Sequence, residues 1–201
     1  MIDLAAVALT FGAIFLVELP DKTFLATLVL ATRYRPVLVW LGVGLAFAVQ
    51  TTVAVLVGQA VSFLPEDIVK VAAAVLFGVG ALLLFREARS HQRDQEADDG
   101  AEFAEKAKPA HGWRAVLASF LVLFAAEWGD LSQLLTITLV ARYESPFSVW
   151  LGALGALLAV SGLAVLAGRW LMQRVKLHVL FYLGGSVCLV LLALVVAELV
   201  R

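Results

Sequence analysis

The chain has 201 residues, of which 62% are hydrophobic and 15% are charged, and its mean hydropathy is +0.96. A soluble domain of this size needs more polar surface than this composition supplies, so the sequence indicates an integral membrane protein. The formal net charge of −1, without a basic patch, argues against nucleic-acid binding. Cys188 is the single cysteine, which excludes an internal disulfide and a thiolate metal site.

Six apolar stretches are each compatible with the roughly 20 residues that a helix needs to cross hydrocarbon. They lie near residues 4–30, 37–60, 67–85, 114–140, 147–168 and 178–199. The first and the fourth are unusually long, and Pro20 and Gly129 near their midpoints weaken a continuous helix. Residues 1–17 contain no Lys or Arg, so we expect the first stretch to remain as a span and not to act as a cleaved signal peptide.

Residues 87–112 separate the chain into two halves. The segment is rich in Asp, Glu, Lys, Arg and Gln and has no apolar period, which predicts a solvated, partly disordered linker. Metal sensing by its His and acidic residues is the weaker interpretation, because charged runs of this kind are usually linkers. We therefore predict one three-helix unit over residues 1–86 and a second over residues 113–201.

An acidic motif occurs twice, each time in the middle of a long apolar stretch. The first copy, Glu18 to Thr23, reads ELPDKT, and the second, Glu127 to Ser132, reads EWGDLS. Glu127 follows Glu18 at the same interval as Asp130 follows Asp21, which indicates an internal duplication. Because each half holds an odd number of spans, the two copies are predicted to cross the membrane in opposite directions, as inverted repeats of an all-α membrane protein with six transmembrane helices.

Basic residues are unevenly distributed over this six-span topology. The side with the central linker carries eleven Lys and Arg residues, and the opposite side carries three. The positive-inside rule therefore predicts a cytoplasmic linker and two external termini. We expect the protein in the bacterial inner (plasma) membrane.

The two acidic pairs predict a cation site. Glu18 and Asp21 are three residues apart, as are Glu127 and Asp130, so each pair shares one helix face. One ionised Asp at a bilayer centre costs about 2.5–3.5 kcal/mol on insertion scales. Structural ion pairs are the alternative explanation, but four carboxylates cannot be neutralised pairwise by Lys22 alone.

Neutral oxygen donors accompany the acidic pairs. Those next to the motifs or one turn further on are Thr23, Ser132, Gln133, Thr27 and Thr136. We expect smaller contributions from Gln50, Thr51 and Thr52 in the second stretch. A site of oxygen ligands without Cys or His favours calcium, magnesium or manganese over zinc or copper.

A metal-free site cannot hold four negative charges. Two unit charges about 4 Å apart repel by about 4 kcal/mol at an effective dielectric of about 20. We therefore expect at least one carboxylate to be protonated without metal, and metal binding to release protons. Shared ligands of this kind predict cation/proton antiport. The sequence has no catalytic triad, phosphate loop or nucleotide fingerprint, so we predict neither an enzyme nor a prosthetic group.

At these two motifs the chain resembles the Gdt-one family, also called uncharacterised protein family sixteen, within the lysine-exporter superfamily. The family signature is two copies of Glu-x-Gly-Asp-Lys/Arg-Thr/Ser in inverted three-span repeats, and the resemblance covers nearly the whole chain. It implies exchange of calcium or manganese for protons, with export of the cation from the cytosol. The ligands that it implies are Glu18, Asp21, Glu127 and Asp130, supported by Thr23, Ser132 and Gln133.

The chain departs from the family pattern at three positions. Pro20 replaces the usual Gly, Leu131 replaces the second basic residue, and Phe24 stands where Gln often follows the first motif. Two other functions remain open. One is proton-coupled export of amino acids or small metabolites, which needs a larger and partly apolar pocket, and the other is a membrane scaffold without transport. The same oxygen ligands suit manganese and calcium. The sequence is compatible with a monomer and with a homo-oligomer.

Overall fold

The computed structural model describes residues 2–19, 22–63, 65–90, 110–143, 145–174 and 177–199. Within these ranges every regular element is an α-helix and no strand is present. The eight described helices are α1 (Leu4–Glu18), α2 (Lys22–Arg33), α3 (Pro36–Val61), α4 (Glu66–Ser90), α5 (Trp113–Ala126), α6 (Leu131–Tyr143), α7 (Pro146–Arg174) and α8 (Leu177–Leu199). The prediction of an all-α protein is confirmed.

The first and fourth apolar stretches are broken helices. The axes of α1 and α2 differ by 70°, and those of α5 and α6 differ by 73°. Gly129 in the second break has φ +81°, a left-handed conformation that glycine adopts without the steric cost of a side chain. Each of the two predicted spans is thus interrupted near its midpoint, where Pro20 and Gly129 were expected to weaken a helix, and each acidic motif lies where one helix ends and another begins.

Among the described residues, three helices are long and apolar enough to cross a membrane: Pro36–Val61, Asp67–Arg86 and Pro146–Leu166. The number rises to five if each bent pair forms one span. The described apolar part of α8, Gly185–Ala197, falls below the length of a full span. The chain thus has the helices of an integral membrane protein, while the sixth span stays a prediction.

The start of the predicted central linker is helical. Helix α4 continues to Ser90 and so includes residues 87–90 of that segment. Ala88 is fully buried, which explains why the helix extends: its last turn packs against the core. Residues 91–109 lie outside the described residues.

Helices α3 and α7 form the centre of the bundle. They contact each other, α7 also packs against α1 and α2, and α3 packs against α5 and α6. Helix α4 lies along α8, beside this centre. Both broken pairs are therefore held against the same two central helices, which brings their breaks into one region of the core.

Two glycines permit the closest of these helix contacts. A Cβ atom at Gly42 of α3 would overlap the carbonyl oxygen of Val116 in α5. A Cβ atom at Gly152 of α7 would lie 2.6 Å from the carbonyl oxygen of Val7 in α1. Small residues at such crossings let helix backbones approach each other inside a membrane, where packing replaces the hydrophobic effect as the driving force.

Candidate cation site

Three carboxylates from the two helix breaks meet in the core. Glu18 ends α1 and is fully buried, Glu127 follows α5 and is 4% exposed, and Asp130 directly precedes α6 and is partly buried. One oxygen atom of each carboxylate lies within 4.8 Å of the oxygen atoms of the other two. Residues from opposite halves of the chain thus share one small volume.

The spacing of these oxygens fits a single bound cation. Calcium binds oxygen ligands at about 2.3–2.6 Å, so two ligands on opposite sides of one ion are about 4.6–5.2 Å apart. The oxygen atoms of the cluster all lie within 4.8 Å of one another, so one ion can contact all three.

The surrounding backbone adds to the negative potential of the cluster. Helix α1 ends at Glu18 and α5 ends at Ala126, directly before Glu127, so the C-termini of both helices lie next to carboxylates of the cluster. A helix C-terminus carries roughly half a negative elementary charge. Two such ends beside buried carboxylates favour a cation and disfavour an anion at this place.

Buried hydroxyl groups accompany the carboxylates. Thr23 is 1% exposed and Thr27 is fully buried, and neither hydroxyl has a hydrogen-bond partner within the described part of the chain. The Oδ2 atom of Asp130 is also buried and also has no hydrogen-bond partner among the described residues. Buried polar atoms without partners are rare in proteins, and ligation of an ion is one of the explanations they require.

The corresponding hydroxyls of the second motif have a different environment. Ser132 is 5% exposed and Thr136 is 2% exposed, and the Thr136 hydroxyl donates a hydrogen bond to the carbonyl oxygen of Ser132 at 2.8 Å. Both residues line a small cleft of about 10 Å³, which Glu127 also lines. The cleft therefore places further polar side chains beside Glu127 on the side of α6.

Two predicted participants are not described. Asp21, the fourth predicted ligand, lies outside the described residues, as does Pro20. The side chain of Lys22 is not described either. Their roles at the site stay predictions.

The glutamines bind backbone atoms at the second break. Gln133 donates from Nε2 to the carbonyl oxygen of Glu127 at 3.1 Å, and its Oε1 accepts the N–H of Gly129 at 3.1 Å. Gln50 of α3, which is 3% exposed, donates to the carbonyl oxygen of Phe124 at 3.0 Å. Sequence reasoning treated both as oxygen donors and missed this backbone role, although an amide in the apolar sequence of α3 is a signal for a specific partner.

Thr52 does not belong to the buried site, so the expectation for this residue is wrong. Its side chain is exposed, donates to the carbonyl oxygen of Ala48 at 2.7 Å and accepts the indole N–H of Trp150 at 3.0 Å. The neighbouring Thr51 is 2% exposed and lines the cleft beside Gln50. Successive residues of a helix point in directions about 100° apart, which explains the difference.

Two departures from the family pattern are apolar packing positions. Phe24 is 1% exposed and forms a buried cluster with Val160 and Ala164 of α7. Leu131 faces α4, where a Cβ atom at Gly80 would lie 3.0 Å from Leu131 Cδ1. A Lys or Arg at position 131 would direct its stem toward this apolar contact, so Leu131 is the better residue for the packing observed here.

Comparison with known proteins decides the family. Residues 6–92 and 115–199 match the model of the divalent cation/proton antiporter GDT1, and these two ranges contain both acidic motifs. The chain belongs to the GDT1 family. The resemblance inferred from the motifs is confirmed, and the GDT1 family consists of transporters, so this chain is not an enzyme.

Relatives from several organisms support membership of the GDT1 family. GDT1-like protein sll0615 of Synechocystis sp. is 33% identical over 177 residues, which cover 84% of this chain and 85% of the relative. The chloroplastic protein PAM71 of Arabidopsis thaliana is 32% identical over 217 residues, and GDT1-like protein 1 of Oryza sativa subsp. indica is 29% identical over 214 residues. Both alignments cover 96% of this chain, but only 57% of PAM71 and 62% of the rice protein. No solved structure matches the chain.

Proposed function

We propose that this GDT1-family chain exchanges manganese or calcium for protons and exports the cation from the cytosol. The observation that carries the proposal is the buried cluster in which oxygens of Glu18, Glu127 and Asp130 approach within 4.8 Å. Carboxylates from both motifs contribute to one volume, and their hard oxygen atoms suit both ions. Asp21 is proposed as the fourth acidic ligand, and the hydroxyls of Thr23 and Ser132 as neutral ones.

The same carboxylates provide the coupling. A cluster of three ionised carboxylates in a low-dielectric core is unfavourable without a counter-charge, so either a divalent cation or protons must neutralise most of it. Occupation by the metal excludes the protons, and occupation by protons excludes the metal. Competition for one set of ligands is sufficient to couple the two fluxes in opposite directions.

We propose that the two halves are inverted repeats around this cluster. Helix α1 of the first half packs on α7 of the second half, and α5 of the second half packs on α3 of the first. Such reciprocal contacts are expected if the two halves are equivalent. The rings of Phe11 and Phe15 stack at 5.6 Å with an angle of 13° between their planes. Those of Phe120 and Phe124, at the equivalent positions of the second half, stack at 5.3 Å with the same angle. Repeated local geometry at equivalent positions supports a duplicated fold.

The remaining topological proposals follow from the sequence. Residues 1–86 and 113–201 are the two repeats, residues 87–112 connect them in the cytoplasm, and the bacterial inner membrane holds the protein with both termini outside. The excess of Lys and Arg on the linker side supports this orientation.

Metabolite export is the less well supported alternative. Pockets for drug-sized organic ligands occupy about 300–1,000 Å³ and are predominantly apolar. The cleft beside Glu127 has a volume of only about 10 Å³, and most of its lining residues are Gln, Thr, Ser and Glu. A small, oxygen-lined cleft suits a cation better than an amino acid.

The test is flux through the full-length chain in proteoliposomes. We expect an imposed pH gradient to drive manganese or calcium across the membrane, while protons move in the opposite direction, down their gradient. An ionophore that collapses the pH gradient should abolish the uphill flux. Lysine and arginine serve as competing substrates, and proton-coupled flux of these amino acids without cation flux would replace the proposal by the metabolite-export alternative.

Removal of the Thr23 hydroxyl tests the neutral ligands. Thr23→Val keeps the shape of the side chain but removes a buried oxygen that has no hydrogen-bond partner among the described residues. We expect an unchanged or higher thermal midpoint and an apparent cation affinity that is about five- to tenfold weaker, because one ligand is lost. Thr32→Val, at an exposed position of α2, is the control. Equal affinity in both variants would remove Thr23 from the ligand set.

A further inference from the structure

Two glutamines bind the backbone at the break between α5 and α6. Gln133 bridges the turn, with Nε2 3.1 Å from the carbonyl oxygen of Glu127 and Oε1 3.1 Å from the nitrogen of Gly129. Gln50 reaches from α3, with Nε2 3.0 Å from the carbonyl oxygen of Phe124. We call these three hydrogen bonds the amide clamp.

The break requires such partners. A helix end leaves its last carbonyl groups and the following N–H groups without helical partners, and hydrocarbon offers no water to bind them. Helix α5 ends at Ala126, and Phe124 lies in its final turn. The amide clamp binds the Phe124 carbonyl and the Gly129 N–H, and it gives the Glu127 carbonyl a second donor beside the Asp130 N–H at 3.3 Å.

The counterparts of the two clamp residues, one in each half of the chain, are apolar. Phe24 occupies the place in the first motif that Gln133 occupies in the second. Val160 follows Gln50 at the same interval as Trp150 follows Trp40, so Val160 is the counterpart of Gln50 in the second half. Phe24 and Val160 are 1% and 0% exposed and pack against each other in one apolar cluster. The same two places are thus polar at the second motif and apolar at the first.

Backbone chemistry explains this difference. The carbonyl oxygen of Phe15, which corresponds to Phe124, accepts the N–H of Leu19 at 3.0 Å and so needs no side-chain donor. Pro20 stands in the place of Gly129, and a proline has no N–H that a side-chain oxygen must bind. Pro20 and Phe24 are therefore linked departures, because loss of the N–H removes the need for the amide.

We propose that Gln50 and Gln133 are positioning residues, which hold Glu127 and Asp130 in the geometry that binds the cation and do not bind it themselves. The inference rests on the cation site proposed above. The Glu127 carbonyl and the Gly129 N–H lie between the two carboxylates in the chain, so bonds to them restrict how the carboxylates are presented to Glu18. Loss of the amide clamp loosens the second half of the site and leaves the first half unchanged.

The test compares Gln50→Met and Gln133→Met in the reconstituted full-length chain. Methionine keeps the length of glutamine and removes its hydrogen bonds, and its thioether is a soft ligand that would favour cadmium if the side chain contacted the ion. For a positioning role we expect KM for manganese, calcium and cadmium to rise by one common factor. That factor should be about threefold for Gln50→Met, which loses one bond, and about tenfold for Gln133→Met, which loses two. A shift of the ion preference toward cadmium would make the glutamine a ligand and overturn the proposal.

Hydrogen exchange of the metal-free protein tests the amide clamp without any transport. We expect the peptide that contains residues 127–131 to exchange about tenfold faster in Gln133→Met, and the peptide that contains Thr23 to exchange as in the unmodified chain. Unchanged exchange at residues 127–131 would refute the amide clamp. Absence of cation flux in the unmodified chain would refute the proposed function instead, and the exchange measurement would still decide whether the amide clamp exists.

Two further variants complete the design. Gln59→Met changes an exposed glutamine of the same helix as Gln50 and should leave KM and exchange unaltered. Gln133→Glu keeps an oxygen for the Gly129 N–H, loses the donor to the Glu127 carbonyl and adds a negative charge beside the cluster. It should give an exchange rate between those of the unmodified chain and Gln133→Met, and it provides the same measurement if Gln133→Met does not fold. Faster exchange with an unchanged KM would show that the amide clamp holds the turn without positioning the site, and would overturn the proposal.

Discussion

Glu18→Gln and Glu127→Gln are each expected to lower proton-coupled cation flux by about 100-fold or more. Each change keeps the size of the side chain and removes one negative charge from a cluster in which three carboxylates approach within 4.8 Å. Loss of one partner of a buried charge interaction typically costs about 3–5 kcal/mol, and every 1.4 kcal/mol is tenfold in affinity. The measurement is initial uptake of manganese and calcium into proteoliposomes under a fixed pH gradient.

Asp67→Asn is the matched control for this pair. Asp67 is an exposed carboxylate at the start of α4, so its neutralisation should leave flux unchanged. Thermal midpoints of the three variants in detergent separate loss of a ligand from loss of folding. Flux in Glu127→Gln equal to that of the unmodified chain would end the assignment of this cluster as the cation site.

Gly42→Ala and Gly152→Ala are expected to cause the largest losses of stability. The added Cβ atom meets a backbone carbonyl oxygen in both cases, that of Val116 for Gly42 and that of Val7 for Gly152. Backbone atoms cannot rotate away as the end of a side chain does, so α5 must move from α3, or α1 from α7. Overpacking of this kind costs about 1–3 kcal/mol and occasionally more. We expect lower thermal midpoints and, because α1 and α5 carry the motif glutamates, weaker cation affinity as well.

Gly12→Ala provides a control with the opposite sign. Gly12 lies in α1, and a Cβ atom there meets nothing within 4 Å in the described structure. Alanine is favoured over glycine in a helix by about 1 kcal/mol, so this variant should be neutral or slightly stabilising. A thermal midpoint for Gly42→Ala as high as that of Gly12→Ala would show that the close contact between α3 and α5 does not limit stability.

The two halves of the candidate site are related but unequal. The second motif has an open polar cleft and the amide clamp formed by Gln50 and Gln133. At the first motif, Phe24 and Val160 fill the corresponding places with apolar packing. The cluster thus borders a small polar cleft at the second motif and apolar packing at the first. An antiporter must open its site to one side of the membrane at a time, and an asymmetric lining is compatible with that requirement.

Repetition and residue chemistry made most of the site predictable. The constant interval between the motifs that carry Glu18 and Glu127 indicated that equivalent points of two repeats meet, and the structure brings both residues and Asp130 together. The roles of Gln133 and Thr52 were not predictable in this way. A glutamine beside an acidic motif can bind an ion or a backbone group equally well. Thr52 has the same side chain as its buried neighbour Thr51 and differs only in the direction in which it points from the helix.

Composition and order of residues were sufficient to establish an all-helical membrane protein with paired acidic motifs, because hydrophobic length and charge in an apolar segment are properties of the chain itself. The bends of 70° and 73°, the overlap at Gly42 and the amide clamp emerged only from the folded molecule. Each depends on where a second helix passes. A backbone group at a helix break can be satisfied by any nearby donor or acceptor, and only the packing of α3 against α5 assigns Gln50 to Phe124.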